Sequence, residues 1–295
     1  MFSRARLVYI LKFQRVKLTT FYYQFRRVKP ILNQLYNSIV TQASFISSIA
    51  LFSSAFVLQA AAQESQKNMS EITKAEELYD QNDFKGVYEY LLQFKDSNNP
   101  ELLWRLVRGT RDRAGMADVS KEEKKKMIFE AFEVAKQALE LGDDNYACHK
   151  WYGIMLSQTG DYIGTKKKIE DSPVMKKHFE RAIELCPTDA TSHHLIGMWC
   201  FSFADLAWYE RKIAAVVFGS PPESTYEEAL SHFKEAESLS PSFYSTNQYM
   251  IALVLLKMGK KSEAKEWFQK LSQFKVIKEE DKENVKKAQT QMECL

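Results

Sequence analysis

The chain has 295 residues, 45% of them hydrophobic and 13% aromatic, which suffices for the core of a folded, water-soluble body of one or two domains. Ten glycines, seven prolines and scarce alternation of the Val/Ile/Thr kind exclude a strand-built architecture. The net charge of +3 is unevenly placed: every acidic residue follows Arg4, Arg6, Lys12, Arg15, Lys17, Arg26, Arg27 and Lys29, so the rest of the chain is net acidic and nucleic acid is not an expected partner.

Residues 1–63 hold those eight positive charges and no carboxylate before Glu64. An Arg-bearing, acid-free, Ser/Thr-containing amphipathic leader is the physical type of a mitochondrial transit peptide. The uncharged run from Ile31 to Gln63, with its core from Phe45 to Ala62, is alternatively long enough to span or lie in a bilayer, although its serines and glutamines make it a poor span. A disordered tail is the third reading. In each case the leader lies outside a folded body expected over residues 71–288.

A helical phrase then recurs along the chain. Leu78-Tyr79 and Asn82-Asp83-Phe84, with Val87 and Leu91, imitate the end of one helix and the start of the next. Trp104 and Val107 open a unit whose second helix carries Ala131, Ala135 and Ala138 at spacings of four and three. Gly160-Asp161-Tyr162 closes another helix, Phe179-Glu180-Arg181-Ala182 continues its partner, and Cys186-Pro187 ends it before a fresh helix at Ala190. The phrase returns as Ala229, Phe233 and Ala236 before Ser240-Pro241, and as Ala264, Phe268 and Leu271 after Gly259. Positions i, i+4 and i+7 share one helical face, so each phrase is one side of a packed hairpin. Repetition at a period of about 34 residues predicts an all-α fold, a degenerate tetratricopeptide-type solenoid of helical hairpins.

The repeats are irregular. Pro187 and Pro241 stand 54 residues apart, and the surplus falls in Met198 to Pro222, which reads as a lengthened helix with a break at Gly219 to Pro222. Similar surplus lies between Arg111 and Ile128 and around Gly164 to Pro173, the latter read as an inter-helix insertion. The aromatic run from Trp199 to Tyr209 reads as core, with a hot-spot pocket for a partner helix as the alternative. Ser224-Thr225 is placed to cap the following helix, with Glu227 and Glu228 near its positive end.

Reactive chemistry is not expected. Phosphate-loop, dinucleotide-binding and nucleophile-elbow signatures are missing, so no catalytic residue, metal ligand or cofactor is assigned and the chain reads as a non-enzyme. Cys148, Cys186, Cys200 and Cys294 read as buried free thiols of a reducing compartment. His193 and His194 point about 100° apart and cannot grip one ion together, while His149, His178 and His232 are scattered. Glu227-Glu228 and Glu279-Glu280-Asp281 read as solvated charge.

Basic side chains remain. Arg105, Arg108 and Arg111 recur every third residue and form a band along one helix, followed by Arg113. Lys121 and Lys124-Lys125-Lys126 open the next helix, and Lys166-Lys167-Lys168 lie in the expected insertion. Such charges can be merely hydrated; lining a concave groove, they would attract an acidic peptide or protein tail, arginine gripping carboxylates bidentately. The candidate partner-binding residues are Arg105, Arg108, Arg111, Lys150, Lys166, Lys167 and Lys168.

Several phrases resemble the regulator of microtubule dynamics family over roughly Glu71 to Leu271: Glu101-Leu102-Leu103-Trp104-Arg105-Leu106, His149-Lys150-Trp151-Tyr152, Gly160-Asp161-Tyr162, Trp199-Cys200, Pro221-Pro222-Glu223-Ser224-Thr225-Tyr226 and Pro241-Ser242-Phe243-Tyr244-Ser245. The resemblance implies a helical-repeat protein that associates with microtubules and spindle poles and supports chromosome segregation, in the cytoplasm, with the acidic tails of tubulin as the partner of the basic groove. Some relatives sit instead on mitochondrial or endoplasmic reticulum membranes as contact-site tethers. This chain departs from those in its short basic leader and in having no extended acidic linker. A mitochondrial or membrane-contact interaction factor that uses the same groove, with membrane association through residues 1–63, is the competing expectation.

Overall fold

Six helices begin where a short polar side chain turns back onto the backbone. Asp83 accepts a hydrogen bond from the Gly86 amide, Asn99 from Glu101, Ser120 from Glu123, Asn145 from Ala147, Asp189 from Ser192 and Thr225 from Glu228, each satisfying an amide that the first turn leaves without a partner. The helices are residues 62–80 (α1), Phe84–Leu92 (α2), Pro100–Ala114 (α3), Lys121–Leu141 (α4), Tyr146–Ile163 (α5), Thr165–Leu185 (α6), Ala190–Ala204 (α7), Trp208–Phe218 (α8), Tyr226–Leu239 (α9), Ser245–Lys257 (α10), Lys261–Ser272 (α11) and Glu279–Glu293 (α12). No strand occurs among the described residues, as the sequence predicts.

The computed structural model describes residues 34–35, 37–38, 58–59, 62–218 and 222–295. The leader at 1–63 therefore lies almost wholly outside the described residues, and its three readings with it. Residues from Ser70 to Leu295 form one compact unit, and α12 continues past Ala288, the expected end of the body. No helix among the described residues is long and apolar enough to cross a membrane.

The helices pack in pairs along a single stack: α3 on α4, α5 on α6, α7 on α9 across the intervening α8, and α10 on α11, with α12 against α10 and α11. The recurring aromatic of each second helix is the keystone. Phe179, Phe233 and Phe268 are 4%, 0% and 0% exposed, and burying each ring contributes about 2 kcal/mol or more. Two of these rings press on glycines of the helix they pair with: a Cβ at Gly153 of α5 would lie 2.4 Å from the Phe179 ring, and one at Gly197 of α7 would lie 2.7 Å from the Phe233 ring. The small residue is therefore a seat for the ring of its partner helix. Ala131, Ala135 and Ala138 perform the same close packing in α4 without an aromatic.

Three readings are corrected. The stretch from Met198 to Pro222 is not one lengthened helix: α7 stops at Ala204, Asp205 caps it, and a separate helix, α8, packs against α6 rather than within its own hairpin. Residues 219–221 of the expected break lie outside the described residues. Around Gly164 to Pro173 there is no looped insertion either. Gly164, at φ +128°, ends α5, and Lys166 to Lys168 already stand in the first turn of the 21-residue α6, which carries Pro173 in its interior. Proline cannot donate to the Ile169 carbonyl four residues back, and the Ser172 hydroxyl donates to that carbonyl instead at 2.8 Å. The third correction concerns the thiols: Cys148 and Cys200 are buried as expected, whereas Cys186 is half-buried and Cys294 exposed.

Candidate functional site

The first helices of the pairs share one side of the stack, and the stack curls. A groove of about 1290 Å³ is lined by α3, α5, α6 and α7 together with Tyr79 of α1, Phe84 of α2, Glu210 of α8 and the starts of α10 and α12. Its floor is apolar, with Trp151 and Ile154 from α5, Leu195 and Met198 from α7 and Met250 from α10. Trp199, Cys200 and Phe203 belong to the core, as their sequence pattern predicts, and the indole N–H of Trp199 donates to the Ser172 carbonyl at 2.9 Å.

Curling brings the two ends of the repeat stack together. The Lys278 ammonium donates to Asp112 at 2.9 Å and to the Tyr79 hydroxyl at 3.4 Å, and it lies 4.6 Å from the centre of the Phe84 ring. Beside it the Arg111 guanidinium donates to Glu280 at 3.3 Å and to Asp112 at 3.1 Å. Arg111 thus carries its charge between two carboxylates, with burial opposing that charge and the Asp112 and Glu280 carboxylates favouring it. A clasp of two cations and two anions closes the groove from α3 to α12.

The candidate basic residues divide. Arg108, Arg111, Lys150 and Lys168 line the groove, while Arg105, Lys166 and Lys167 lie outside it. None of the seven stands bare. Arg105 and Arg108 hold the two oxygens of Glu76 at 2.6 and 2.8 Å, and Arg105 also pairs with Glu101. Arg108 stacks 3.7 Å from the centre of the Tyr79 ring, so the arginine band pins α1 to α3. Burial raises the Glu76 carboxyl, but the hydrogen bonds and charges of Arg108 and Arg105 outweigh it and hold the group below its usual range. Lys150, 8% exposed, donates to Asp189 at 2.8 Å, and that same carboxylate caps α7. Lys166 and Lys167 pair along their helix with Glu170 and Asp171, and Lys168 with Asp161. Each of the seven cations thus has a carboxylate of the folded body within ion-pair reach, largely covered for Arg105, Arg108, Arg111 and Lys150 and exposed on the surface for Lys166, Lys167 and Lys168.

Two expectations about other ionisable groups change. Glu280 and Asp281 are not free solvated charge: Glu280, half-buried, accepts from the Tyr244 hydroxyl at 2.6 Å and the Thr246 hydroxyl at 3.1 Å, while Asp281, 6% exposed, accepts from Ser245 at 2.6 Å and caps its own helix. The histidines are not scattered either. His149 donates from Nε2 to the Asp143 carbonyl at 2.7 Å, which leaves its Nδ1 lone pair to accept from His178 at 2.9 Å. One repeat later His193 bonds to the Pro187 carbonyl at 3.0 Å, again six residues back, and its ring lies 6.3 Å from that of His232. No group of three metal-ligating side chains occurs among the described residues.

Sequence reasoning missed Lys278, Glu280, Tyr244 and Glu76. Their spacing from the arginines, as far as 169 positions, leaves no local signal. The Pro241-Ser242-Phe243-Tyr244-Ser245 phrase and the Glu279-Glu280-Asp281 run, the latter read as solvated charge, marked the neighbourhood without a role for it.

The chain matches the family described as Regulator of microtubule dynamics protein 1-3 over residues 71–295. It is 46% identical over 228 residues to Regulator of microtubule dynamics protein 1 of Mus musculus, a match covering 77% of this chain and 75% of the mouse protein. It is 48% identical over 180 residues to the Homo sapiens protein of the same name, covering 61% of this chain and 57% of that one. Regulator of microtubule dynamics protein 3 of Xenopus laevis is 36% identical over 187 residues, with 63% of this chain and 40% of that protein covered. The crystal structure of a thermophilic TPR protein of Thermus thermophilus superposes with a TM-score of 0.51 at 13% identity, across 75% of this chain and 98% of that one, which shows the fold alone. The family is one of regulator proteins by its description, not a known class of enzymes. With 225 of its residues matched end to end and its helical pairs in tetratricopeptide order, the chain belongs to the regulator of microtubule dynamics protein family.

Proposed function

We propose that this chain is a non-enzymatic binding module that associates with microtubules through its groove. The observation that carries the reading is the placement of Arg108, Arg111, Lys150 and Lys278 on the wall of one curved channel with an apolar floor. Similarity to proteins named as regulators of microtubule dynamics supports microtubules as the target. The partner group is an acidic peptide, and on the microtubule surface that peptide is the carboxylate-rich tail of tubulin. Its carboxylates enter by exchange with internal ones, since each groove cation already has an anion. Arg108 and Arg111 are the groove arginines of the contact, with Lys168 at the far wall; Arg105, Lys166 and Lys167 lie at its margin, and Lys150 is the strut that holds the α7 cap. On this reading the protein acts on spindle microtubules and at spindle poles, in support of chromosome segregation, from the cytoplasm.

Co-sedimentation of the full chain with taxol-stabilised microtubules across a salt series tests the proposal. Exposed ion pairs are screened over about 8 Å at physiological ionic strength, so pelleting should fall steeply between low and moderate salt. A chain that stays in the supernatant at low salt contradicts it.

A further inference from the structure

Where α3 meets the start of α12, Glu280 differs from the neighbouring anions Asp112 and Asp281. Its carboxylate sits in a cradle built by three donors from two other helices: the Tyr244 hydroxyl at 2.6 Å and the Thr246 hydroxyl at 3.1 Å on one oxygen, and Arg111 at 3.3 Å on the other. Asp112 and Asp281 are locked into the fold, with the Asp112 side chain 2% exposed and Asp281 6% exposed. The Glu280 side chain is 35% exposed, and the cations around it, Arg111 and Lys278, are 25% and 28% exposed. Solvent therefore reaches this cradle and its occupant.

Glu280 is also dispensable to the anchoring of its own helix. The start of α12 is fixed by Asp281, which accepts from Ser245 and from the amides of Ile277 and Lys278, by Asn284, which donates to Ser245 and Thr246, and by Lys278 on Asp112. Removing the Glu280 carboxylate leaves these contacts in place and leaves a vacant seat for a carboxylate between a guanidinium and two hydroxyls.

We propose that the Arg111, Tyr244 and Thr246 cradle is a carboxylate-receiving subsite for an acidic peptide, and that Glu280 occupies it as an internal stand-in that restrains binding. The proposal rests on the acidic-partner reading above and deepens it by naming the subsite and the residue that competes for it. A tethered carboxylate acts at an effective concentration in the millimolar range, so a single free carboxylate competes poorly. A run of glutamates competes well: one carboxylate takes the cradle, and its neighbours meet Lys278 and Arg108 along the wall. Binding strength is thereby set by the difference between the partner's carboxylates and Glu280, which makes the residue a built-in brake.

The test uses the full chain and a fluorescently labelled deca-glutamate peptide, followed by anisotropy, with microtubule co-sedimentation of the same proteins in parallel. Glu280→Ala is expected to bind the peptide at least fivefold tighter than the unmodified chain, with its unfolding temperature within a few degrees. Glu280→Gln, which keeps the shape and a hydrogen-bond acceptor while removing the charge, is expected to tighten binding less, and it carries the test if the alanine variant does not fold. Adding Tyr244→Phe and Thr246→Val to Glu280→Ala should return affinity to that of the unmodified chain or below. Equal or weaker peptide binding by both folded Glu280 variants overturns the stand-in. In that case, pelleting of the unmodified chain with microtubules leaves the proposed function intact, and its failure to pellet removes that reading separately.

Discussion

Lys278 and Asp112 lie 166 positions apart in sequence and meet at 2.9 Å, joining the last helix of the stack to an early one. The Asp112 side chain is 2% exposed, so its charge depends on Lys278 and Arg111 for compensation. Lys278→Met is expected to cost about 1 to 3 kcal/mol and to loosen the closure of the groove. Small-angle scattering should show a larger radius of gyration, and thermal unfolding a lower midpoint. An unchanged radius together with an unchanged midpoint would show that closure rests on packing alone.

Glu76 is the anion that spans Arg105 and Arg108. Replacing it with Ala should loosen α1 on α3 while leaving the rest of the stack folded, because the Glu76 carboxylate pairs with Arg105 and Arg108 of α3. Amide exchange in residues 70–80 should accelerate tenfold or more, with that of α10 and α11 unaltered. The carboxyl is held below its usual value of 4.5, so its contribution to stability is present above that pH and is lost as pH falls through the folded value. Charge reversal at Arg105 or Arg108 places a carboxylate against Glu76 and unfolds this joint. Loss of microtubule binding in those variants reports on the partner only if α1 remains docked.

Acid should weaken the fold through its histidines. Burial pushes His194 down to about 4, and burial and the charge of His149 push His178 down to about 4. Both groups are neutral in the folded state at neutral pH, whereas the unfolded chain protonates near 6.5. Stability is therefore complete above about 6.5 and declines as pH falls towards 4. The His194 contribution amounts to on the order of 3 kcal/mol. Unfolding midpoints measured from pH 7.5 to 4.5 should fall, and His194→Gln, which can still donate to Asn247, should flatten that slope. A wild-type midpoint that does not move over this range would refute the buried neutral histidines.

The glycines under the aromatic rings give opposite outcomes to one in the open. Gly153→Ala and Gly197→Ala place a methyl 2.4 and 2.7 Å from the rings of Phe179 and Phe233, which are themselves buried, so each should cost about 1 to 3 kcal/mol despite alanine's better helix propensity. Gly115→Ala, at the exposed end of α3 with 3.4 Å to the Asp112 carbonyl, should stay within about 0.5 kcal/mol of the parent. Urea unfolding of the three variants checks the contrast.

Much of the fold could be read from the sequence, because it is carried by short-range periodicity. The triplets Ala229, Phe233, Ala236 and Ala264, Phe268, Leu271 sit fully buried where the spacing of four and three puts them, and Thr225 caps α9 as expected, with Glu228 completing a capping box that the sequence reading did not name. Element edges were less legible: α8 follows α7 after a short break at Asp205 to Ala207, and both sides of that break are apolar enough to read as one helix. The site was the least legible part. Arg105, Arg108 and Arg111 were found by their spacing, but their partners lie on other helices: Glu76 on α1, packed beside α3, and Glu280 at the far end of the stack, which its curvature brings within hydrogen-bonding distance. A charge band looks free in sequence whenever its counter-charges are distant along the chain.

The role proposed for the groove stands on whether acidic tails recruit this protein to the microtubule lattice. Co-sedimentation at low salt with intact microtubules and with microtubules whose acidic tails have been removed by limited proteolysis decides it. The proposed mode of binding predicts that the full chain pellets with the intact polymer and loses at least four fifths of that binding on the trimmed one. Equal pelleting with both, or none with either, would contradict it.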